Sequence, residues 1–277
     1  MINKQEILQQ AQKCKLMPNI IEKDYVIGWI LSGIANNTKL YNAWIFKGGT
    51  CLKKCFFKEY RFSEDLDFTV IDPKQIDLGF LKEQFISIAI WIYEKTGIEL
   101  PEDLIMFEIY KNPRDNLSIT GKIGYRGPMQ RRGDLPTIKL DLTNYEIVAA
   151  SSDRKKIDHV YSDRSLNYIQ CYCYTEIFAE KIRALIERLR PRDVYDVVHL
   201  YHAKRDLNVK ELLRILIIKC QFKNIEIPNF AELNQRLEKY ELKVEWSSML
   251  SHQINNLQPL DYFWEQLELF FQWLKFS

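Results

Sequence analysis

An α+β fold, in which helices frame a set of strands and a helical part follows, is predicted by three features of the sequence. Short strands are read at 44–46, 63–70, 103–111, 117–126 and 136–143, with apolar and polar residues alternating at 63–70 and 136–143, the period of strands. Apolar stripes at helical spacing run through 3–14, 18–35 and 76–96. From residue 207 to 277 the stripes are helical throughout, enough for four or so helices. The 277 residues suffice for one large or two smaller domains. We divide them into 1–150, strands with amino-terminal helices, and 151–277, mostly helical.

The first two helices come before any candidate chemistry. In the second, Ile20, Ile21, Tyr25, Ile27, Ile30 and Leu31 form an apolar stripe that reads as scaffold, and Asn36-Asn37 ends it. Trp44-Ile45-Phe46 then leads into Lys47-Gly48-Gly49-Thr50. Adjacent glycines let the backbone turn sharply and approach a ligand, and a helix over 50–57 would offer N–H groups to phosphate. Lys53, near its start, meets a polyphosphate or is simply solvated.

A strand over Ser63–Val70 puts Ser63, Asp65, Asp67 and Thr69 on one face, with Leu66, Phe68 and Val70 on the other. Two carboxylates about 4 to 5 Å apart repel by roughly 3 to 4 kcal/mol at an effective dielectric near 20. A hard cation such as Mg²⁺ relieves that repulsion and accepts substrate phosphates as further ligands. Asp72-Pro73 breaks the pattern, and the long helix over 76–96 closes at Gly97.

Turn formers at Asn112-Pro113, Gly127-Pro128 and Gly133-Asp134 separate the next three strands. The last carries Thr137, Lys139, Asp141 and Thr143 on one face, so Asp141 is either a third carboxylate or a strand-edge aspartate. Arg126 to Arg132 forms a substrate loop or a plain hairpin tip. Residues 150–168 are polar and irregular. Thr175 then caps a helix with Glu176 in its first turn, running to Arg190 before Pro191. Lys181 and Arg188, seven apart on one stripe, face a triphosphate or water. Asp193 and Asp196 open the next helix as site carboxylates or as caps. The closing aromatic stripe, Tyr262, Trp264, Leu267, Phe270, Phe271 and Leu274, supports the site or grips a macromolecule.

Composition narrows the class. Hydrophobic residues at 47% and charged ones at 27% describe an ordinary globular protein. A net charge of +2 leaves any basic surface to local clusters, Arg126–Arg132 and Arg183–Arg192. No apolar run reaches the roughly 18 to 20 residues of a membrane span, and the polar amino terminus lacks a signal pattern, so we expect a cytoplasmic protein without membrane association. Its six cysteines fit that compartment as reduced, buried thiols. Cys51 with Cys55, and Cys171 with Cys173, invite a zinc reading, but the paired Cys-x-x-Cys spacing of structural zinc is missing. The four histidines supply no ligand set.

Taken in order, Glu22-Lys23-Asp24-Tyr25, Phe46-Lys47-Gly48-Gly49-Thr50-Cys51-Leu52, Arg61-Phe62-Ser63-Glu64-Asp65-Leu66-Asp67-Phe68, Lys139-Leu140-Asp141, Glu180-Lys181-Ile182-Arg183-Ala184-Leu185 through Arg188, and Arg192-Asp193-Val194-Tyr195-Asp196 resemble the AbiEii/AbiGii toxin family of nucleotidyltransferases. That family is a branch of the DNA polymerase beta superfamily. The ordered set is far more specific than any single motif.

The resemblance implies a mixed-sheet nucleotidyltransferase core, flanked by helices and followed by a helical carboxyl-terminal domain that contributes to the active site. It implies Asp65, Asp67 and Asp141 as ligands of Mg²⁺, or of Mn²⁺ in its place. Gly48, Gly49, Thr50 and Ser63 would hold the NTP with Lys53 and Arg188, Lys181 would contact the phosphates, and Asp193 with Asp196 would complete the site. The implied function is that of the toxin in a toxin-antitoxin or phage-defence pair, moving a nucleotide from NTP to an acceptor, foremost the tRNA 3′ end or another RNA. A separate antitoxin protein is the implied partner. The alternatives are transfer of the nucleotide to a protein hydroxyl, and an idle nucleotide- or RNA-binding module.

Overall fold

The computed structural model describes residues 1–111, 117–131, 133–163, 166–203, 207–227 and 229–276. The turn expected at Asn112-Pro113, and Arg132 of the arginine loop, lie outside them. The chain forms two compact units, Met1–Glu146 with Ser152–Cys171, and Ile147–Ser151 with Tyr172–Ser277. Residues 152–171 belong to the first because they extend its sheet.

That unit runs α1 (Lys4–Cys14), α2 (Pro18–Asn36), α3 (Thr38–Tyr41), β1 (Trp44–Lys47), α4 (Gly48–Cys51), β2 (Asp65–Val70), α5 (Leu78–Thr96), β3 (Ile105–Lys111), β4 (Leu117–Gly124), β5 (Thr137–Thr143), β6 (Asp153–Lys156) and β7 (Tyr168–Cys171). The seven strands form one sheet in the order β3-β4-β5-β2-β1-β7-β6. β2 with β5 and β1 with β7 are parallel, and the other pairs antiparallel. The mixed, helix-flanked sheet is the one the family resemblance implies.

The period of two, carried across the register, sorts whole rows of side chains to one face. Ile109, Ile119, Leu142, Phe68 and Phe46 stand side by side on five strands. On this face Phe85 of α5 meets both Trp44 and Phe107. The adjacent row, Glu108, Thr120, Asp141, Asp67 and Lys47, points the other way. Apart from Ile109, which is exposed on β3, one row builds core, and the next presents chemistry.

Helix ends follow local rules. Asn3 and Asp77 cap α1 and α5 by accepting from Glu6 N and Phe80 N, and Gly97 closes α5 at φ +75°. α4 starts at Gly48 itself and runs into a π-helical turn over Leu52–Phe56, closed by Phe57 N to Leu52 O at 2.9 Å. The plain helix expected over 50–57 is therefore widened. β6 lies within the stretch expected to be irregular. Its Asp-Arg-Lys-Lys sequence offers no apolar alternation, and as an edge strand it needs none.

The second unit comprises α6 (Tyr174–Arg188), α7 (Pro191–Ala203), α8 (Val209–Phe222), α9 (Phe230–Asn234), α10 (Glu238–Leu250) and α11 (Leu260–Phe276). α6 packs on α7 and α8, and α7 on α10 and α11. Three expectations need correction. Cys173, not Thr175, precedes α6, without a side-chain cap. Leu189, at φ 46°, ends that helix before Arg190, and Pro191 opens α7 instead of stopping α6. In α11, Phe263 is buried while Tyr262 is 41% exposed, because counting back four residues from buried Leu267 reaches 263.

No described helix is long and apolar enough to cross a membrane.

Candidate active site

The parallel pairing of β2 with β5 sets Asp65 beside Lys139 and Asp67 beside Asp141. All three aspartates are half-buried, while Leu66, Leu140 and Leu142 between them are buried. Asp141 is held on both oxygens. Its Oδ1 accepts from Thr120 Oγ1 at 2.9 Å and its Oδ2 from Lys139 Nζ at 2.7 Å. Burial works against a charged Lys139, yet the hydrogen bond and charge of Asp141, with Asp65 further off, hold its pKa above the usual lysine value. On the same face of the sheet, Glu146 accepts from Thr69 Oγ1 at 3.1 Å and pairs with Lys47.

The glycine turn lies directly against this strand. Gly48 adopts φ +81°, and a Cβ there would fall 2.3 Å from Asp67 Oδ2. A Cβ on Gly49 would fall 2.7 Å from Arg61 Nη2 and 3.0 Å from Ser63 Oγ. A side chain at Gly49 would push Arg61 and Ser63 aside, while at Gly48 both the contact with Asp67 and the positive φ favour glycine. Thr50 is buried, and its hydroxyl donates to the Asp65 carbonyl. That bond ties the turn to the carboxylate strand. β2 begins at Asp65, so Ser63 does not share its alternation but sits before the strand, over Gly49.

Lys53 lies elsewhere. Its ammonium donates to Lys58 O at 2.7 Å and stands 4.6 Å from the centre of the Phe62 ring. It lines a cavity of about 420 Å³ with Lys13, Lys54, Asp24 and Tyr161, and none of the three aspartates is on that lining. The π-turn rotates Lys54 inward, onto a buried pair with Asp24 at 2.7 Å. Burial pushes the Asp24 carboxyl up, but the charges of Lys54 and Lys53, with hydrogen bonds from Lys54 and Tyr161, bring it below its usual value.

The Glu22–Tyr25 motif is a set of ties that spacing alone does not reveal. Glu22 Oε1 accepts from Met129 N at 2.7 Å, Lys23 reaches Glu64 at 2.8 Å beside the carboxylate strand, and Tyr25 donates to Asp163 at 2.5 Å. The sign of their function is that charged residues are spent on a buried helix: Glu22 and Asp24 are 1% and 4% exposed.

In the second unit the predicted residues pair with one another. α6 and α7 form a hairpin. Lys181 Nζ meets Asp196 Oδ2 at 2.7 Å, while Arg188 Nε and Nη2 each meet an oxygen of Asp193 at 2.7 Å. The two carboxylates are fully buried, so they neither cap α7 nor face water. The antiparallel hairpin explains the match, since partners along α6 ascend as those along α7 descend. Glu176, in the first turn of α6, accepts from Ala149 N and Ala150 N at 2.8 and 2.9 Å and from Lys219 at 2.9 Å.

The aspartate row fits a hard divalent cation by donor chemistry: oxygen ligands, one face, partial exposure. Among the described residues, however, the three-residue cluster with all donor atoms within 4.8 Å of one another is that of Cys51, Cys55 and Cys171. The aspartates are aligned but not drawn to one point, with Asp141 turned to Thr120 and Lys139.

Over residues 29–269 the chain matches a family model described as "Nucleotidyl transferase AbiEii toxin, Type IV TA system". Among solved structures it is similar to MenT4, a nucleotidyltransferase toxin from Mycobacterium tuberculosis H37Rv. That likeness has 15% identity and a TM-score of 0.67, over 99% of this chain and 90% of that one. It is also similar to JHP933 from Helicobacter pylori, at 17% identity and a TM-score of 0.54, over 94% and 93%. At these identities the two likenesses bear on the fold. No curated protein matches by sequence.

Proposed function

This chain belongs to the AbiEii family of nucleotidyltransferase toxins, and on that premise we propose that it transfers a nucleotide from an NTP to the 3′ end of tRNA, using a divalent cation at Asp65 and Asp67. The observation that carries this reading is the contact between the two motifs: Gly48, at φ +81°, stands where any Cβ would strike Asp67 Oδ2. A turn and a carboxylate strand pressed together so closely support a phosphate group meeting a metal-binding acid.

Asp65 and Asp67 would hold the cation, with Asp141 joining if Lys139 releases it. Bound there, Mg²⁺ or Mn²⁺ would neutralise charge on the transferred phosphoryl group and on pyrophosphate. The glycine turn, with Arg61 and Ser63 over Gly49, would bind and orient the triphosphate. Thr50, its hydroxyl engaged by Asp65 O, serves by fixing the turn. The acceptor oxygen forms a bond to the α-phosphorus as the bond to the β-phosphate oxygen breaks, pyrophosphate leaves, and the hydroxyl proton passes to a carboxylate of this set. The family resemblance assigns Lys181 and Arg188 to phosphate contacts; within the second unit they are held by Asp196 and Asp193. Growth arrest through blocked translation follows, with a cognate antitoxin as partner.

The test is incubation of the full chain with labelled NTPs, Mg²⁺, total tRNA and cell lysate. Label on RNA that disappears in Asp65→Asn with Asp67→Asn, while folding is retained, is the expected result. Label on protein instead would favour the second acceptor class, and labelling unaffected by the double substitution would refute the assigned roles.

A further inference from the structure

Two thiols four residues apart meet a third from far along the sequence inside the first unit. Cys51 is the last residue of α4, Cys55 lies in the π-turn and Cys171 ends β7 beside Phe46 of β1. Their sulfurs all lie within 4.8 Å of one another. Cys51 and Cys171 are fully buried and Cys55 is half-buried. The transferase reading uses none of them. Cys173, paired with Cys171 by spacing, is not in the cluster, whereas β1 pairing with β7 brings Cys171 to the helical turn that follows β1.

Zinc–sulfur bonds of about 2.3 Å set sulfurs roughly 3.8 Å apart around a tetrahedral ion. The cluster therefore closes on an ion with sulfur shifts of about 1 Å or less. The donors are soft and convergent, unlike the hard, dispersed aspartates. Hydrogen bonds from Cys51 and Cys55 lower the Cys171 thiol from its usual value, against the effect of burial. Burial pushes Cys51 up, and the hydrogen bond to Cys171 does the same to Cys55. The π-turn adds weight, because such widened turns recur at functional sites.

We propose that Cys51, Cys55 and Cys171 form a thiolate site for Zn²⁺, distinct from the aspartate row. Entry of the ion displaces the thiol protons to solvent, and a water on the Cys55 side fills the fourth position. The ion clips the segment that follows the glycine turn to β7, so its effect is on the rigidity and stability of the first unit.

The experiment uses the full chain, reduced and stripped of metal, titrated with Zn²⁺ and with Cd²⁺ as a spectroscopic probe. The expected result is one equivalent of Cd²⁺ giving a thiolate-to-metal charge-transfer band, which carboxylate ligation does not produce, and a melting temperature raised by several degrees with Zn²⁺. Cys171→Ser and Cys55→Ser remove both effects, and Cys14→Ser and Cys173→Ser keep them. Should a serine variant fold poorly, alkylation of the unsubstituted chain decides: Zn²⁺ protects Cys51, Cys55 and Cys171 and leaves Cys14 and Cys173 as reactive as before. Absence of the band, a band that persists in the triple serine variant, unchanged alkylation, or a disulfide among the three in the freshly purified protein would overturn the proposal. None of these outcomes depends on nucleotide transfer, so the two readings fail separately.

Discussion

Gly48→Ala introduces a methyl carbon 2.3 Å from Asp67 Oδ2 and 3.1 Å from its carboxyl carbon, on a backbone at φ +81°. Two costs separate cleanly. A positive φ for an L-residue costs about 1 to 2 kcal/mol, which lowers the melting temperature of a unit this size by roughly 2 to 4 °C per kcal/mol. Ordinary contact begins near 3.4 Å, so the carboxylate must retreat by about 1 Å, and displacement of that size at a reacting centre costs on the order of 10²-fold in rate. Gly97 isolates the first cost: it has φ +75° with nothing within 4 Å of an added Cβ. Both alanine variants are assayed for transfer of labelled nucleotide to RNA, normalised to folded protein by circular dichroism, alongside thermal melts. Similar losses of melting temperature, with activity lost only in Gly48→Ala, are expected. Equal transfer rates in the two variants would refute the claim that the turn sets the position of Asp67.

Asp196→Ala leaves Lys181 charged and nearly buried, at 11% side-chain exposure, and should destabilise by about 3 to 5 kcal/mol; urea unfolding of the double variant with Lys181→Met should recover most of that loss. Asp24 has a pKa below its usual 3.8 in the folded chain, so its stabilising effect is complete above that value and fades as pH falls through the lower folded one. In denaturant titrations the stability gap between the chain and Asp24→Asn should therefore narrow only below about pH 4, and a constant gap would contradict the pairing with Lys54. Lys139→Met removes the cation on Asp141, and half-maximal transfer should then need less Mg²⁺; a higher requirement would mean that Lys139 positions Asp141 for the reaction.

Much of the fold was legible because its signals are local. Alternation marked the strands that carry the aspartates, and helical stripes marked α2, α5 and the bundle. β6 escaped because an edge strand of Asp, Arg and two Lys carries no apolar period. Thr175 misled for a related reason: residue type suggests a cap, but the turn of the chain at Cys173 decides where the helix starts. Within the site, the face shared by Asp65 and Asp67 could be read from the period of two, whereas the fate of Lys53 could not. A π-turn changes which way each residue of the segment faces, and nothing in Leu-Lys-Lys-Cys-Phe announces one.

By itself the sequence determined which residues share a strand face, where glycine must stand, and which ordered motifs mark the family, since all of these follow from short-range geometry. Tertiary structure alone decided the partners: Asp141 beside Asp67, Asp196 on Lys181, Asp193 on Arg188, and three thiols around one point. Pairing across a sheet or between helices depends on register and topology. Those are set by the joint packing of distant apolar rows, and no neighbour along the chain encodes them.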